Sequence, residues 1–468
     1  MEEMLARPLI DLVAGLRQRD FSAEELARAT LARIGETQAT LNAFTCLREA
    51  DAVLAEARRA DERIARGDAR PLEGITLGVK DLEDVEGMVT SHGSVPYKDH
   101  VAERDSLQVE RLRAAGAIVV GKTNTPEFGY TAISKNLLFG ASRNPWNLDH
   151  TPGGSSGGSS SAIAGGVVPM VTGSDGGGSV RIPAAVTGCF GLKTSYGRIP
   201  HGPSDLWVMD DTAVHGPITR CVADAALHLD VSVGAHPLDP NSLPHPGIRY
   251  SDVLEDLPSG LRAAWSPDLG YAVVQRDVAE VALRALTHFE EMGIPVESIE
   301  AGPPEPGGRW GLGGAWELLS ELLPKLPEHE DDFGRVFIRG IKRAHGVDAA
   351  RWRSMRQLRA EISQWCADVF ARYDILLTPT VPYDPPPPGG PFLRELDGRP
   401  QPPANFGSFT MPFNLAWQPA ATVRAGFSDA GLPVGLQIVA PRHRDDLVLQ
   451  VARAFERATD CFATWPSV

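Results

Sequence analysis

The segment Gly153–Ser161 reads GGSSGGSSS and the segment Gly173–Ala184 reads GSDGGGSVRIPA, with an apolar stretch at residues 162–171 between them. Runs of glycine and serine are most often flexible linkers. A linker, however, has no reason to enclose an apolar stretch without a polar spacer. The pattern therefore predicts a buried element with a glycine-rich turn at each end, which is typical of a binding or catalytic site.

The second of these stretches has the composition of an anion-binding loop. Glycine lets the backbone approach a ligand closely, and successive backbone N–H groups can then surround a negative charge. We predict that Gly176, Gly177 and Gly178 direct N–H groups at an oxyanion that develops as the hydroxyl of Ser179 attacks. A phosphate-binding loop is the main alternative, although these glycines lack the GxGxxG spacing of a dinucleotide site.

Lys80 is the candidate base for such a serine. It follows the apolar run Ile75–Val79, which predicts a buried strand with the lysine at its end. A buried lysine loses its proton readily and can then accept one from a hydroxyl. The alternative is an ordinary surface lysine that pairs with Asp81 or Asp84.

Short apolar strands alternate with amphipathic helices along the rest of the chain. This order predicts an α/β fold in a single domain, with a large mixed, mostly parallel β-sheet flanked by helices. Residues 301–314 are rich in glycine and proline and predict a loop. We expect four parts along the chain: N-terminal helices at 1–70, a core with the glycine-rich stretches at 71–235, a divergent pocket region at 236–370 and the C-terminal part of the sheet at 371–468.

Composition excludes several classes of protein. The net charge of −15 over 468 residues argues against nucleic-acid binding and provides no basic anchor for a membrane. The acidic start and the lack of a long apolar stretch predict neither a signal peptide nor a transmembrane helix. Five widely separated cysteines indicate reduced thiols and a cytoplasmic location. No histidine or cysteine spacing is typical of a metal site, so we expect no metal and no cofactor.

Several motifs together strongly resemble the amidase signature family of amide hydrolases. Besides the two glycine-rich stretches, the matching segments are GVKD at Gly78–Asp81, GKTN at Gly121–Asn124, HGPITR at His215–Arg220 and GLPVGLQ at Gly431–Gln437. The resemblance implies the amidase signature fold. It also implies an amidase that acts on linear carbon–nitrogen bonds other than peptide bonds.

The family's catalytic residues correspond to three positions of this sequence. The resemblance implies that Ser179 is the nucleophile, Ser155 the bridging serine and Lys80 the base, and that the Gly154–Ser155 peptide bond is cis. In the implied mechanism, protons pass from Ser179 through Ser155 to neutral Lys80, and return to the leaving amine. Three further residues are expected to support this set: Ser156, Asp175 and Arg181.

The substrate pocket is predicted to draw on three stretches of the chain. The candidates are Tyr130, Thr131 and Ala132 in the first, Trp207 within 205–209 in the second, and Trp316 within 301–345 in the third. The apolar residues around Trp310 and Trp316 have partly helical spacing, and an ordinary core helix is the alternative for them.

The expected substrate is a neutral, apolar small molecule: an amide, anilide or carbamate. Two alternatives remain open at this point. One is the glutamine-hydrolysing subunit of an aminoacyl-tRNA amidotransferase, and the other is a hydrolase of biuret-type or cyclic amides. We expect a monomer or homodimer that binds neither nucleic acid nor membrane.

Overall fold

The computed structural model describes residues 2–202, 211–402 and 404–468. Helices account for most of the outer layers. Their bounds are α1 (Glu2–Leu5), α2 (Leu9–Gln18), α3 (Ala23–Leu41), α4 (Ala50–Ala65), α5 (Leu107–Ala114), α6 (Gly157–Ala164), α7 (Arg181–Thr187), α8 (Val222–Ser232), α9 (Arg276–Glu291), α10 (Gly307–Leu322), α11 (Leu326–His329), α12 (Arg335–Lys342), α13 (Ala349–Phe370), α14 (Met411–Leu415) and α15 (Asp445–Thr459).

Strands form the interior of the molecule. Their bounds are β1 (Phe44–Leu47), β2 (Thr76–Lys80), β3 (Ile118–Thr123), β4 (Lys135–Asn136), β5 (Gly140–Ala141), β6 (Met170–Val171), β7 (Ser174–Asp175), β8 (Phe190–Lys193), β9 (Val214–His215), β10 (Ile218–Thr219), β11 (Ala263–Trp265), β12 (Val296–Ser298), β13 (Ile375–Pro379), β14 (Glu395–Leu396), β15 (Arg399–Pro400), β16 (Ala420–Phe427) and β17 (Pro433–Val439).

The central sheet confirms the predicted mixed α/β fold but is less parallel than expected. Seven strands follow the order β10-β8-β16-β17-β13-β11-β12. The first four pairings are antiparallel, and the β13–β11 and β11–β12 pairings are parallel. The antiparallel part arises because the hairpin β16–β17 inserts between β8 and β13, and the alternation of strands and helices does not indicate this hairpin. A separate group, β1-β3-β2-β6, contains the parallel pairs β3–β2 and β2–β6.

Amphipathic helices cover the sheet, as the spacing of their apolar residues requires. In α9, for example, the buried side chains recur at helical intervals and lie on one face: Val278, Val281, Ala282, Ala285, Leu286 and Phe289. The N-terminal helices pack in the same way against β2 and β3. The helices thus shield the strands from solvent, and the loops at the strand ends remain free to form a site.

The segment Gly116–Thr123 fits the GxxxxGK[ST] spacing of a phosphate-binding loop, but its structure rules out that role. Six of its residues form the buried strand β3, and Lys122 is completely buried. The Lys122 ammonium lies 3.4 Å from Asp81 Oδ1 and donates to the Glu83 carbonyl at 2.6 Å. This lysine is a structural cation inside the fold, not a phosphate ligand.

Helices α10 to α12 pack together next to Phe128. Their apolar residues form one cluster with Phe128, whose ring stacks on that of Phe337 at 5.2 Å. The predicted loop at 301–314 is only partly a loop, because α10 begins at Gly307. The glycines from Gly307 onward are therefore helical, and the helix places Trp310 against the glycine-rich loop at 173–179.

Candidate active site

Lys80 is the last residue of β2 and its side chain is completely buried. Its Nζ donates to Ser155 Oγ at 2.7 Å, to Ser174 Oγ at 2.9 Å and to the Ser174 carbonyl at 3.3 Å. The Lys80 backbone N–H donates to Thr172 Oγ1 at 2.9 Å, which fixes the strand end. The alternative of a surface ion pair is wrong, since Asp81 pairs with Lys122 instead.

The electrostatic surroundings of Lys80 suit a base. Burial lowers the pKa of Lys80 to about 7, although the negative charges of Glu83 and Asp175 act in the opposite direction. A substantial fraction of the amine is therefore neutral near pH 7. Because the hydroxyl of Ser155 is already within hydrogen-bond distance, the neutral amine can accept its proton without rearrangement.

Ser155 lies in the turn that precedes α6, and the predicted cis bond Gly154–Ser155 is present. Its side chain is 2 % exposed. A side chain on Gly154 would collide with the backbone of residues 131–133, so glycine is required there. The following residue, Ser156, joins the two glycine-rich stretches, because its N–H donates to the Ser179 carbonyl at 3.2 Å.

Asp175 and Arg181 form a buried ion pair that fixes the loop with Ser179. Arg181 Nη2 lies 2.9 Å from Asp175 Oδ1, and both side chains are fully buried. Burial opposes ionisation of Asp175, but the guanidinium of Arg181 holds the pKa of this carboxyl well below its usual value. Arg181 also donates to Gln437 Oε1 at 2.7 Å and to Asn414 Oδ1 at 2.5 Å. The loop is thus attached to the C-terminal half of the chain.

The predicted oxyanion donors do not all have the same surroundings. The N–H of Gly178 donates to Asp175 Oδ1 at 2.7 Å, so this group is occupied and the prediction for it is wrong. Within the described parts of the chain, the N–H groups of Gly176 and Gly177 have no acceptor. These two groups belong to the same loop as Ser179, so they stay the predicted oxyanion donors.

Two cavities meet at Ser179, and they differ in chemistry. The more polar cavity, called the polar cavity below, has a volume of about 90 Å³ and is also lined by Leu82, Phe128 and Ala213. Its polar lining comes from Glu83, Asp84, His92, Ser106, Ser155, Ser174, His201 and His215. The apolar cavity has a volume of about 210 Å³, and its larger side chains are Tyr130, Ile182, Tyr383, Phe392, Phe406 and Met411. Gly129, Ser179 and Trp310 line both.

The predicted pocket residues separate into three groups. Tyr130, Thr131 and Ala132 line the apolar cavity. Trp207 lies outside the described residues. Trp316 lines neither cavity; it is 43 % exposed and packs beside Trp352, with ring centroids 5.6 Å apart.

Trp310 takes the place at the site that was predicted for Trp316. Its Nε1 donates to the Gly176 carbonyl at 3.2 Å, and its ring lies where a side chain on Gly177 would be. The two tryptophans are six residues apart, which is about 240° around a helix, so only one of them can face the cavity. Helical spacing could have shown that they point in different directions, but not which one faces inward.

The polar cavity contains Glu83, a buried carboxyl group that the sequence did not single out. Burial raises the pKa of Glu83 to about 7, against the effect of its hydrogen bonds with Thr172 and Gln108. Its Oε2 accepts from Gln108 Nε2 at 2.8 Å and lies 3.5 Å from His215 Nδ1. Burial lowers the pKa of His215 to about 4, so this imidazole is neutral near pH 7. The sequence signal for this site is the pair of carboxyl residues, Glu83 and Asp84, that comes shortly after the segment Gly78–Asp81.

Two other kinds of site are absent from the part of the chain that the structure describes. No group of three or more histidine, cysteine, aspartate or glutamate side chains is arranged to hold a metal ion there. None of the described helices is long and apolar enough to cross a membrane.

Known proteins are similar to this chain in both sequence and architecture. The profile of the family described as Amidase matches residues 25–449. An acylamidase from Rhodococcus erythropolis is 36 % identical over 95 % of this chain and 94 % of its own length. A glutamyl-tRNA(Gln) amidotransferase subunit from Ralstonia pickettii is 34 % identical over 98 % of each chain. The crystal structure of a bacterial aryl acylamidase has a TM-score of 0.90 and 28 % identity, covering 98 % of this chain and 99 % of that one.

Proposed function

The chain belongs to the amidase family of enzymes that hydrolyse carbon–nitrogen bonds other than peptide bonds, and from this premise we propose that Ser179 is its nucleophile, with Ser155 and Lys80 as the proton relay. The observation that carries the proposal is the 2.7 Å contact between Lys80 Nζ and Ser155 Oγ. This contact lies at the wall of the cavity that also contains Ser179. A buried lysine with a lowered pKa supplies the base that a serine hydroxyl needs.

The reaction has two balanced stages. Ser179 Oγ attacks the carbonyl carbon, its proton passes to Ser155 Oγ, and the proton of Ser155 passes to Lys80. The relay then returns a proton to the leaving nitrogen, the C–N bond breaks, and the acyl group remains on Ser179. Water hydrolyses the acyl-enzyme by the same relay and releases the carboxylic acid.

The backbone of the nucleophile loop supplies the electrostatic part of catalysis. In this proposal the N–H groups of Gly176 and Gly177, which have no acceptor among the described residues, donate to the oxyanion of each tetrahedral intermediate. One such preorganised donor contributes about 3–4 kcal/mol to lowering the barrier of acyl transfer. Asp175 keeps this loop in shape through its bonds with Gly178 and Arg181.

We propose a neutral, apolar amide, anilide or carbamate as the substrate. The apolar cavity supports this class, because aromatic and aliphatic side chains form most of its wall. The described residues that line the two cavities include neither lysine nor arginine. A substrate carboxylate would therefore have no cationic partner at the site.

Glutamine hydrolysis for an aminoacyl-tRNA amidotransferase is the second candidate. The 34 % identity to the Ralstonia pickettii amidotransferase protein over 98 % of both chains favours it. The lack of a cationic side chain among the described lining residues argues against it, since free glutamine carries a carboxylate. Glutaminase activity that depends on copurified partner proteins would establish this second function.

The experiment that tests the proposal combines covalent labelling with a substrate screen. A fluorophosphonate should modify wild-type protein at Ser179, and peptide mapping should locate the adduct there. Ser179→Ala should lose both the label and turnover of p-nitroanilides, carbamates and simple amides. Ser161→Ala is the matched control, because this serine belongs to the same kind of stretch but donates to the Arg143 carbonyl at 2.8 Å. Near-normal turnover by Ser179→Ala would refute the assignment.

A further inference from the structure

The two cavities at Ser179 are unequal in size and polarity, and we propose that this asymmetry selects the substrate: the polar cavity receives the leaving amine and the apolar cavity the acyl group. The substrate class is then a primary amide of an aromatic or similarly bulky acid. An anilide of a small acid would have to place its ring on the wrong side. This inference rests on the proposed function of Ser179 and Ser155.

The position of Ser155 determines the orientation of the substrate. In the proposed mechanism this hydroxyl delivers the proton to the leaving nitrogen, so the nitrogen must be on its side of Ser179. Ser155 lines the polar cavity and is not among the described residues of the apolar cavity. The leaving group therefore points into the polar cavity, and the acyl group extends in the other direction.

The volumes favour the same orientation. An apolar cavity of roughly 150 Å³ is enough to bind benzene inside a protein. The apolar cavity, at about 210 Å³, exceeds this volume, whereas the polar cavity, at about 90 Å³, falls below it. A phenyl group thus fits on the acyl side, and a small amine is favoured on the leaving-group side.

Unpartnered polar atoms make the polar cavity a poor place for a ring. Among the described residues, Glu83 Oε1, Asp84 Oδ1 and Ser106 Oγ have no hydrogen-bond partner. Glu83 is 2 % exposed and Ser106 is 6 % exposed. An incoming amine can supply the N–H donors that these buried acceptors lack, whereas an aromatic ring supplies none. Ammonia is small and has several N–H donors, so it matches both the volume and the acceptors of the polar cavity.

The apolar cavity has the complementary character. Tyr383 and Phe406 lie with ring centroids 5.0 Å apart, and Phe392 lies 5.5 Å from Phe406. Such an aromatic group packs well against another ring in offset or edge-to-face geometry. Ala132 and Met411 add small and adaptable surfaces to the same wall.

The test compares two isomers that contain the same atoms. In 2-phenylacetamide the ring is on the acyl side, and in acetanilide it is on the leaving group. Aniline is intrinsically the better leaving group, so chemistry alone favours acetanilide. We expect kcat/KM for 2-phenylacetamide to be higher by roughly tenfold or more. Equal values, or a preference for acetanilide, would overturn the inference.

Labelling separates failure of this inference from failure of the proposed function. If a fluorophosphonate modifies Ser179 but 2-phenylacetamide is not hydrolysed, the inference is wrong and the nucleophile assignment stands. If Ser179 is not labelled and neither isomer is hydrolysed, both are wrong.

Filling the apolar cavity provides a second, independent test. Ala132→Phe adds a ring to this wall, and acetamide, which needs no ring pocket, reports whether the rest of the site is intact. We expect the ratio of kcat/KM for 2-phenylacetamide to kcat/KM for acetamide to fall roughly tenfold or more. Ala132→Leu should give the same order of effects with a smaller loss. Equal losses for the two substrates, or no loss for either, would contradict the proposed orientation.

Discussion

Two glycine-rich regions meet at Trp310: the nucleophile loop, residues 173–179, and the start of helix α10, residues 307–314. In the loop, a side chain on Gly177 would collide with the indole of Trp310. In the helix, a side chain on Gly308 or Gly311 would meet nothing within 4 Å. Both regions are rich in glycine, but only the loop requires glycine for steric reasons.

The comparison shows where a neighbouring group requires glycine and where no neighbour does. The loop requires glycine because its backbone packs directly against other groups, and the Asp175–Arg181 pair fixes it from within. In α10 no neighbour requires glycine at positions 308 and 311, and each glycine lowers helix stability by about 1 kcal/mol relative to alanine. The loop is thus predicted to tolerate no change, whereas the helix that carries Trp310 should tolerate alanine.

The largest effect is expected at Lys80, which contacts the nucleophile loop through Ser174 and is the proposed base. Lys80→Arg keeps a positive charge but cannot lose its proton in the working range. We expect kcat/KM to fall roughly 10²–10⁴-fold. A lysine needed only as a cation would be partly replaced by arginine, so substantial activity of this variant would refute the base assignment. Lys135→Arg, at an exposed lysine, is the control.

The pH dependence of the wild type tests the same residue. Only the neutral amine accepts a proton, and burial lowers the pKa of Lys80 to about 7. Therefore kcat/KM for a neutral amide should rise with pH through this value and level off above it. A rate that decreases as pH rises from about 6 to about 8, measured where the protein stays folded, would contradict this role.

A large loss of stability is expected when the internal support of the loop is removed. Arg181→Gln leaves the Asp175 carboxylate buried without its cation, which should lower the free energy of unfolding by about 3–5 kcal/mol. Denaturant titration measures this change. Arg276→Gln removes a comparable but exposed ion pair with Glu280 and should change the transition very little. Similar midpoints for both variants would show that the loop is not held in this way.

A smaller effect is expected where the two regions touch. Gly177→Ala places a methyl group against the Trp310 ring and should lower kcat/KM by about tenfold to a hundredfold, because the oxyanion donors shift. Trp310→Ala removes the obstructing ring. The double variant should therefore recover part of the activity lost by Gly177→Ala. Losses that simply multiply would mean that the clash is not the cause.

The smallest effects are expected in helix α10. Gly308→Ala and Gly311→Ala should each stabilise the protein by about 0.5–1 kcal/mol and leave kcat/KM within about twofold. Gly35→Ala in α3 is the matched control, since this helical glycine also has free space around it. Thermal unfolding and turnover are measured together. A loss of activity in the α10 variants, but not in Gly35→Ala, would show that this helix must change shape during turnover.

Sequence reasoning was most successful where a residue's role depends on local motif. The burial of Lys80, its contact with Ser155 and the Asp175–Arg181 pair all lie within matched segments. Local patterns also predicted the α/β class and the covering helices.

Features that depend on contacts between distant parts of the chain could not be predicted from the sequence, for physical reasons. The antiparallel character of the sheet depends on where β16 and β17 insert, and strand partners are not encoded in the period of a single strand. The occupation of the Gly178 N–H follows from how the loop folds back on Asp175. The choice of Trp310 over Trp316 depends on how α10 is rotated against the core.

The attachment of Arg181 to Asn414, 233 residues further along the chain, has a consequence for biosynthesis. A ribosome adds about 5–20 residues per second, so the nucleophile loop leaves the exit tunnel on the order of ten seconds or more before its C-terminal partners. Until then the Asp175 carboxylate and the Arg181 guanidinium have only each other, the backbone N–H groups of their own loop and solvent. We expect nascent chains arrested before α14 to be inert toward a fluorophosphonate, and hydrolytic competence to begin only after Asn414 and Gln437 have emerged.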